Sequence, residues 1–142
     1  MRGVAVVAAA CAMAAAAADA QAPEKLGTIT FANSGNAAAE APFLRGMKLY
    51  WSFEYPSAAE AFRDAQKADP SFALAYAAEA LTYTHQVWNQ QDLPAARAAL
   101  MRLAPTPAAR RQKAATKRER MYLDLAEALY GERSEEHTSE LQ

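Results

Sequence analysis

Apolar positions recur at helical spacing over most of the chain beyond residue 40. Phe43, Gly46, Met47 and Tyr50 fall on one face of a helix, and this spacing predicts a first helix over residues 41–53. A second stripe predicts another helix beginning near residue 57; its members are Ala58, Ala61, Phe62, Ala65 and Ala68. Strand-like alternation is confined to a short stretch at residues 26–31, so the pattern indicates an all-α chain.

Proline and capping residues divide this pattern into hairpins. Pro56 is expected to end the first helix, because the residue before a proline is pushed out of the α region. Ser57 and Glu60 have the spacing of a capping box that opens the second helix. Pro70, between Asp69 and Ser71, predicts a turn into a third helix.

The second half of the chain carries the same signals. Asp92 is a candidate N-cap for a helix with Pro94 in its first turn, and the sequence at residues 105–107 is expected to end that helix. Thr116 and Glu119 form a second capping box. The helix that it opens carries Tyr122, Leu125, Ala126 and Leu129 on one face, and Gly131 is expected to end it in the left-handed conformation.

The first two helices carry small, large and turn residues at a characteristic spacing. The positions are Gly46, Ala58, Phe62, Ala65 and Pro70. This spacing resembles one tetratricopeptide repeat, a pair of antiparallel helices in which small residues allow close packing and a large one fills the space between helices. The resemblance extends to a second unit through Tyr76, Ala80, Tyr83, Ala96 and Leu100, with about four extra residues within 86–91.

The resemblance implies an α-solenoid of tetratricopeptide type over residues 41–132. About two and a half units are present, and the third unit is truncated after its first helix. A lead-in at residues 21–40 precedes them, and its L-G-x-I-x-F stretch is similar to one found before the first repeat in bacterial secreted tetratricopeptide proteins.

The N-terminal 20 residues have the composition of a signal peptide. Arg2 precedes an alanine-rich apolar run, and the small residues Ala18 and Ala20 predict cleavage after Ala20 and a periplasmic or secreted location. An uncleaved membrane anchor is disfavoured, because the run is shorter than the ~20 residues that a spanning helix needs. Lipidation at Cys11 is also disfavoured, because the run before it is short and lacks leucine.

The C-terminal residues 133–142 resemble a translated sequencing adapter. We therefore expect this stretch to be an artefact and the chain to be a fragment of a longer protein. The helix after Thr116 would then lack its partner helix, and its exposed apolar side chains predict self-association of the fragment.

Composition excludes several classes of function. The net charge is −1, and the tail, with one Arg and three Glu, contributes −2 of it, which leaves +1 for the remainder. That balance predicts no binding to nucleic acid. The chain has one cysteine, Cys11, and lacks glycine-rich phosphate loops, paired-histidine motifs and nucleophile motifs. The sequence therefore predicts no catalytic residues, no cofactor and no metal site.

The resemblance also implies a binding surface, because the first helix of each repeat lines the concave face. The residues assigned to that face are Phe43, Met47, Tyr50, Trp51, Leu81, Thr84, His85, Arg120, Glu127 and Tyr130. Aromatic side chains there would anchor a peptide or protein partner. The alternative is that the lead-in or a later part of the chain covers this face.

Two further features each have a functional and a structural interpretation. His85 and Trp88 would either contact a ligand or close the loop onto the hairpin, and the second interpretation is favoured because no other catalytic group is near in sequence. A basic run would either grip an acidic partner or anionic lipid, or form a solvated connection between helices, and again the second is favoured. The run comprises Arg110, Arg111, Lys113, Lys117, Arg118 and Arg120.

Together these features predict a non-enzymatic scaffold of the bacterial cell envelope that binds a protein or peptide. Two alternatives stay open at this point. The repeats would form an accessory domain of a larger envelope enzyme, or the protein would be a membrane-tethered assembly factor.

Overall fold

The computed structural model describes residues 25–131, and the helical prediction is confirmed there. Six α-helices account for most of this range: α1 (Ala37–Trp51), α2 (Tyr55–Ala68), α3 (Ala73–Leu81), α4 (Leu93–Leu103), α5 (Pro107–Lys113) and α6 (Lys117–Tyr130). Between α3 and α4 lie two short antiparallel strands, β1 (Thr84–His85) and β2 (Gln90–Gln91), joined by a 3-10 turn at Gln86–Trp88. The predicted signal peptide and the adapter-like tail lie outside the described residues.

Helix α1 begins earlier than predicted, inside the region assigned to the lead-in. The side chain of Asn36 caps it by accepting hydrogen bonds from the backbone N–H groups of Ala38 and Ala39. The helix ends at Trp51, and Phe53 reverses the chain with a φ of 64°. A turn this short brings α1 and α2 together as a helical hairpin.

The predicted capping box at Ser57 is wrong. Helix α2 begins two residues earlier, at Tyr55, and Pro56 occupies its first turn. The physical reason is that the fixed φ of proline suits the first turn of a helix, where no backbone N–H is needed. Pro56 thus lies at the start of the second helix and does not end the first, which already stops at Trp51.

Close contact between α1 and α2 is confirmed at Gly46. A Cβ atom on Gly46 would lie 2.6 Å from the ring of Phe62, which is 1% exposed. Ala58 and Ala65 are fully buried in the same cluster. The small residues therefore make room for one large ring, as their spacing predicts.

Helix α3 is the most buried element, and it contacts α2, α4 and α6. Tyr76 is buried and its hydroxyl donates to the carbonyl of Pro70. On the α4 side, Ala80 packs with Ala96 and Leu100. Asp92 caps α4 as predicted, because its carboxylate accepts from the N–H of Ala95.

The segment after α4 contains a helix that the sequence pattern did not predict. Thr106 accepts from the N–H of Ala109, and Pro107 lies in the first turn of α5. The two prolines at 105 and 107 were expected only to stop α4. A proline also starts a helix well, and α5 is too short to show a clear apolar period.

Helix α6 confirms the capping box at Thr116 and Glu119, and the four residues predicted to share its apolar face differ in burial. The buried positions are Leu123, Ala126 and Tyr130, whereas Leu125 is 47% exposed. Tyr122 and Leu129 are only partly buried. Gly131 has a φ of −65° and is extended, so the predicted left-handed end is wrong.

Candidate functional site

The predicted concave face is largely closed. Phe43 and Tyr130 are at most 1% exposed and Met47 is buried, so these three side chains belong to the core and are not available as surface anchors. Phe43 packs against Phe31, and the hydroxyls of Tyr130 and Thr84 lie 2.8 Å apart. Burial raises the pKa of the Tyr130 phenol.

The lead-in segment, residues 25–36, closes this face, as one of the two alternatives expected. Phe31 inserts between Phe43 and Tyr122, with ring centroids 5.8 and 6.1 Å away. The N–H of Ser34 donates to the buried carboxylate of Glu119, and Arg118 donates to the carbonyl of Ala32. The segment thus joins the start of the described chain to α6.

What remains of the predicted face is a small apolar pocket. Met47, Tyr50, Trp51 and Leu81 line it together with Phe31, and its volume is about 40 Å³. That space holds only a few water molecules. Four residues assigned to the predicted face therefore do lie together, but the pocket that they line is too small to be the main binding site.

The polar members assigned to the same face hold α5 and α6 in place. Arg120 donates to the carbonyl of Ala114. Glu127 accepts two hydrogen bonds, at 2.5 and 2.9 Å, from the guanidinium of Arg110, which is 6% exposed. This buried bidentate ion pair therefore connects α5 to α6 and has a structural role.

The basic run fits neither of its two interpretations as a whole. Arg110 is buried, and Arg111 pairs with Asp124 at 2.9 Å. Arg118 also lies over the ring of Phe31, with 5.2 Å from its guanidinium carbon to the centroid. Four of the six side chains in the run are exposed: Arg111, Lys113, Lys117 and Arg118. Several of these cations therefore tie helices together.

Aromatic side chains instead collect at the end of the α1–α2 hairpin where the connecting turn lies. We call this group the aromatic surface; it consists of Tyr50, Trp51, Phe53, Tyr55, His85 and Trp88. Trp51, Phe53 and Trp88 are 67%, 58% and 55% exposed. Every member has a neighbouring ring within 6.4 Å, so the group is continuous.

Two tight turns position this surface. Phe53 occupies the left-handed region between α1 and α2, and Asn89 does so, with φ 50°, between the 3-10 turn and β2. The ring of His85 stacks on Tyr55 at 4.3 Å and 11°, and its Nε2 lies 3.1 Å from the carbonyl oxygen of Thr82. His85 therefore has the structural contact that was expected. Trp88 contacts the rings of Phe53 and Tyr55 on the hairpin and stays 55% exposed.

An open cleft of about 440 Å³ adjoins the aromatic surface. Tyr55 and His85 form one wall, and the charged side chains of its lining are Glu60, Arg63 and Asp92. Arg63 donates to Glu79 at 3.1 Å and to the hydroxyl of Tyr83 at 3.2 Å. The guanidinium is thus held at the cleft wall.

Glu79 is the buried polar residue that the sequence analysis missed. It is 0% exposed and is bound by Arg63, Gln66 and Arg102. The sequence feature that could have indicated its burial is that Glu79 is the one charged residue among the apolar residues of α3. Burial raises the pKa of the nearby Tyr83 phenol, and the Glu79 charge raises it further.

No family model, curated protein or solved structure matches this chain significantly. In residues 25–131, no three His, Cys, Asp or Glu side chains come together as a possible metal site. Among the described helices, none is both long and apolar enough to cross a membrane.

Proposed function

We propose that this protein is a non-enzymatic scaffold of tetratricopeptide type that binds a protein or peptide in the bacterial cell envelope. Two observations support the repeat assignment. The α1–α2 hairpin packs a large ring against Gly46, and the repeat-like positions Ala80, Ala96 and Leu100 meet between α3 and α4. The envelope location rests on the signal-like N-terminal sequence.

The aromatic surface is the observation that carries the binding proposal. Trp51, Phe53 and Trp88 are each more than half exposed. Phe53 contacts Trp88 directly, and Trp51 is connected to them through Tyr50 and Tyr55. Contiguous exposed apolar groups mark interaction sites, and aromatic anchors dominate the binding energy of protein interfaces. The proposed partner binds at this end, because Phe43, Met47 and Tyr130 of the predicted concave face are buried.

Peptides selected from a random phage-displayed library against the full chain test this proposal. We expect Trp51→Ala and Trp88→Ala each to weaken binding of the selected peptides about 5- to 30-fold, which corresponds to a loss of about 1–2 kcal/mol of binding free energy. Met101→Ala is the matched control, because Met101 is 63% exposed on α4. Failure to select any peptide, or equal losses in all three variants, contradicts the proposal.

A further inference from the structure

The open cleft beside the aromatic surface contains an arginine whose positive charge is only partly neutralised. Arg63 lines this cleft, which has a volume of about 440 Å³. Arg63 and Arg102 both form an ion pair with the same carboxylate, that of Glu79. Two guanidinium groups and one carboxylate leave a net charge of +1, so this group of side chains can accept a second anion.

The carboxylate of Glu79 has no capacity left for the remaining donors of Arg63. Its Oε1 accepts from Nη1 of Arg63 and from the hydroxyl of Tyr83. Its Oε2 accepts from the side chains of Gln66 and Arg102. A carboxylate has about four lone-pair sites, so these hydrogen bonds occupy it fully and hold Arg63 in position.

Arg63 keeps N–H groups that a ligand in the cleft can reach. Both hydrogen bonds that it makes to described residues leave from Nη1, so Nε and Nη2 have no partner in that part of the chain. Among the same residues, no buried side-chain nitrogen lacks a hydrogen-bond partner, and the Arg63 side chain is 38% exposed. Nε and Nη2 are therefore accessible to solvent. Together their N–H groups form an edge that binds a carboxylate through two parallel hydrogen bonds.

The other charges of the cleft favour a singly charged carboxylate over a phosphate group. Glu60 and Asp92 line the cleft and are exposed, so solvent and salt screen their repulsion of an anion. That repulsion is greater for a phosphate monoester, whose charge at pH 7 is about −1.5 to −2. Tyr55 and His85 belong both to the cleft lining and to the aromatic surface, so one bound peptide can reach both.

We propose that the cleft binds an acidic side chain of the protein or peptide that contacts the aromatic surface, with the carboxylate on the Nε–Nη2 edge of Arg63. The inference rests on the proposed function, since it names a chemical group that the partner carries. A guanidinium already held by Glu79 and Tyr83 loses little conformational entropy when the ligand binds. The partner is therefore expected to combine an apolar anchor with an aspartate or glutamate.

N-acetylglutamate amide and N-acetylglutamine amide differ only in the side-chain carboxylate and test the charge requirement on the full chain. We expect the glutamate compound to shift the Nε–H signal of Arg63 in NMR spectra, with an affinity about three- to fivefold greater than that of the glutamine compound. Arg63→Gln should remove this preference. Arg102→Gln is the matched control and should keep it, because Arg102 bonds to Glu79 but does not line the cleft. Equal effects of the two compounds, or tighter binding of inorganic phosphate at Arg63, overturn the proposal.

Peptides selected by phage display then test the acidic side chain as the source of the carboxylate. They are synthesised with an amidated C-terminus, so that the chain end carries no charge. We expect replacement of one glutamate or aspartate by its amide to weaken binding about three- to fivefold, and Arg63→Gln to remove this difference. Glu60→Gln should strengthen binding, because it removes a repulsive charge from the cleft.

The outcomes separate this inference from the proposed function. Peptides that require Trp88 but no acidic side chain overturn the inference and leave the proposed function standing. Peptides that gain affinity only from a free C-terminus overturn the assignment to a side chain. A preference for the glutamate compound without any peptide binding supports the carboxylate site on Arg63 and overturns the proposed function.

Discussion

Two interfaces in this molecule join similar helices by different means. Between α1 and α2, the ring of Phe62 fills the space that Gly46 leaves, and no charged group takes part in that contact among the described residues. Between α2, α3 and α4, the buried carboxylate of Glu79 binds Arg63 and Arg102. The first interface depends on shape, which tolerates little change. The second depends on charge, and its arginines still reach water.

We expect the largest loss of stability when the ring that fills the α1–α2 interface is removed. Phe62→Ala should lower the free energy of unfolding by about 3–5 kcal/mol, because the ring is 1% exposed. Urea denaturation measures this. Phe53→Ala is the matched control, and its exposed ring should cost far less. A loss below about 1 kcal/mol for Phe62→Ala would contradict the role of shape.

Gly46 tests the same contact from the other helix. Gly46→Ala should cost about 1–3 kcal/mol, because the new methyl group would lie 2.6 Å from the Phe62 ring, and Gly46→Leu should cost at least as much. In a Phe62→Ala background the ring is gone, so the cost of Gly46→Ala should nearly vanish. A double-mutant cycle measures this coupling, and additive losses would show that the two residues do not meet.

Glu79 tests the charged interface. Glu79→Gln should cost about 1–3 kcal/mol, less than Phe62→Ala, because the side chains of Arg63 and Arg102 are 38% and 45% exposed and stay partly hydrated. Asp64→Asn is the control, since its pair with Lys67 is on the surface and should contribute less than about 0.5 kcal/mol. Equal losses of unfolding free energy in Glu79→Gln and Asp64→Asn would mean that the buried ion pairs of Glu79 contribute no more to stability than a surface pair.

Asp69 adds a pH dependence that the shape-based interface cannot have. Hydrogen bonds from Ser71 and from the N–H of Asn36 hold the pKa of its carboxyl below the usual value. Its stabilisation is therefore present above the unfolded-state pKa of about 3.9 and is lost as pH falls through the lower folded-state pKa. Asp69→Asn should cost about 1–2 kcal/mol at pH 7 and reduce the loss of stability on acidification. Urea denaturation from pH 7 to pH 2 tests this, and unchanged pH dependence would count against it.

The smallest effect is expected on the outer face of α6. Met121 and Leu125 are 62% and 47% exposed and lie one turn apart. Replacing both with Lys should change stability by no more than about 0.5 kcal/mol each. It should also reduce the self-association that the sequence predicts, as measured by analytical ultracentrifugation. A wild-type chain that is monomeric at high concentration would rule out this self-association.

The first hairpin was predictable because its signals are local and repeated. Gly46 and Phe62 have the spacing of a packed helix pair. Asp92 and Thr116 are of the residue types that commonly cap helix N-termini. The errors at α2 and α5 came from proline, because Pro56 and Pro107 start helices as readily as prolines stop them. Sequence alone could not decide between the two uses.

The site was harder to predict, because contacts between distant segments decide which side chains are exposed. Phe43 and Tyr130 have suitable spacing for an open face, but the rings of Phe31, Phe62 and Phe72 cover Phe43, and Tyr130 packs in the core. Likewise, Phe53 and Trp88 lie 35 positions apart in the chain and meet only because two turns bring them together. The predicted members Tyr50, Trp51 and His85 do fall on the aromatic surface.

The lead-in segment also has a consequence for the order of folding. Ser34 bonds to Glu119 across 85 positions of the chain, so this contact cannot form until α6 has been synthesised. Local hairpins such as α1–α2 form fast, whereas long-range contacts must first overcome the entropy of closing a large loop. We therefore expect the docking of the lead-in segment on α6 to be a late event in folding, after the α1–α2 hairpin has formed.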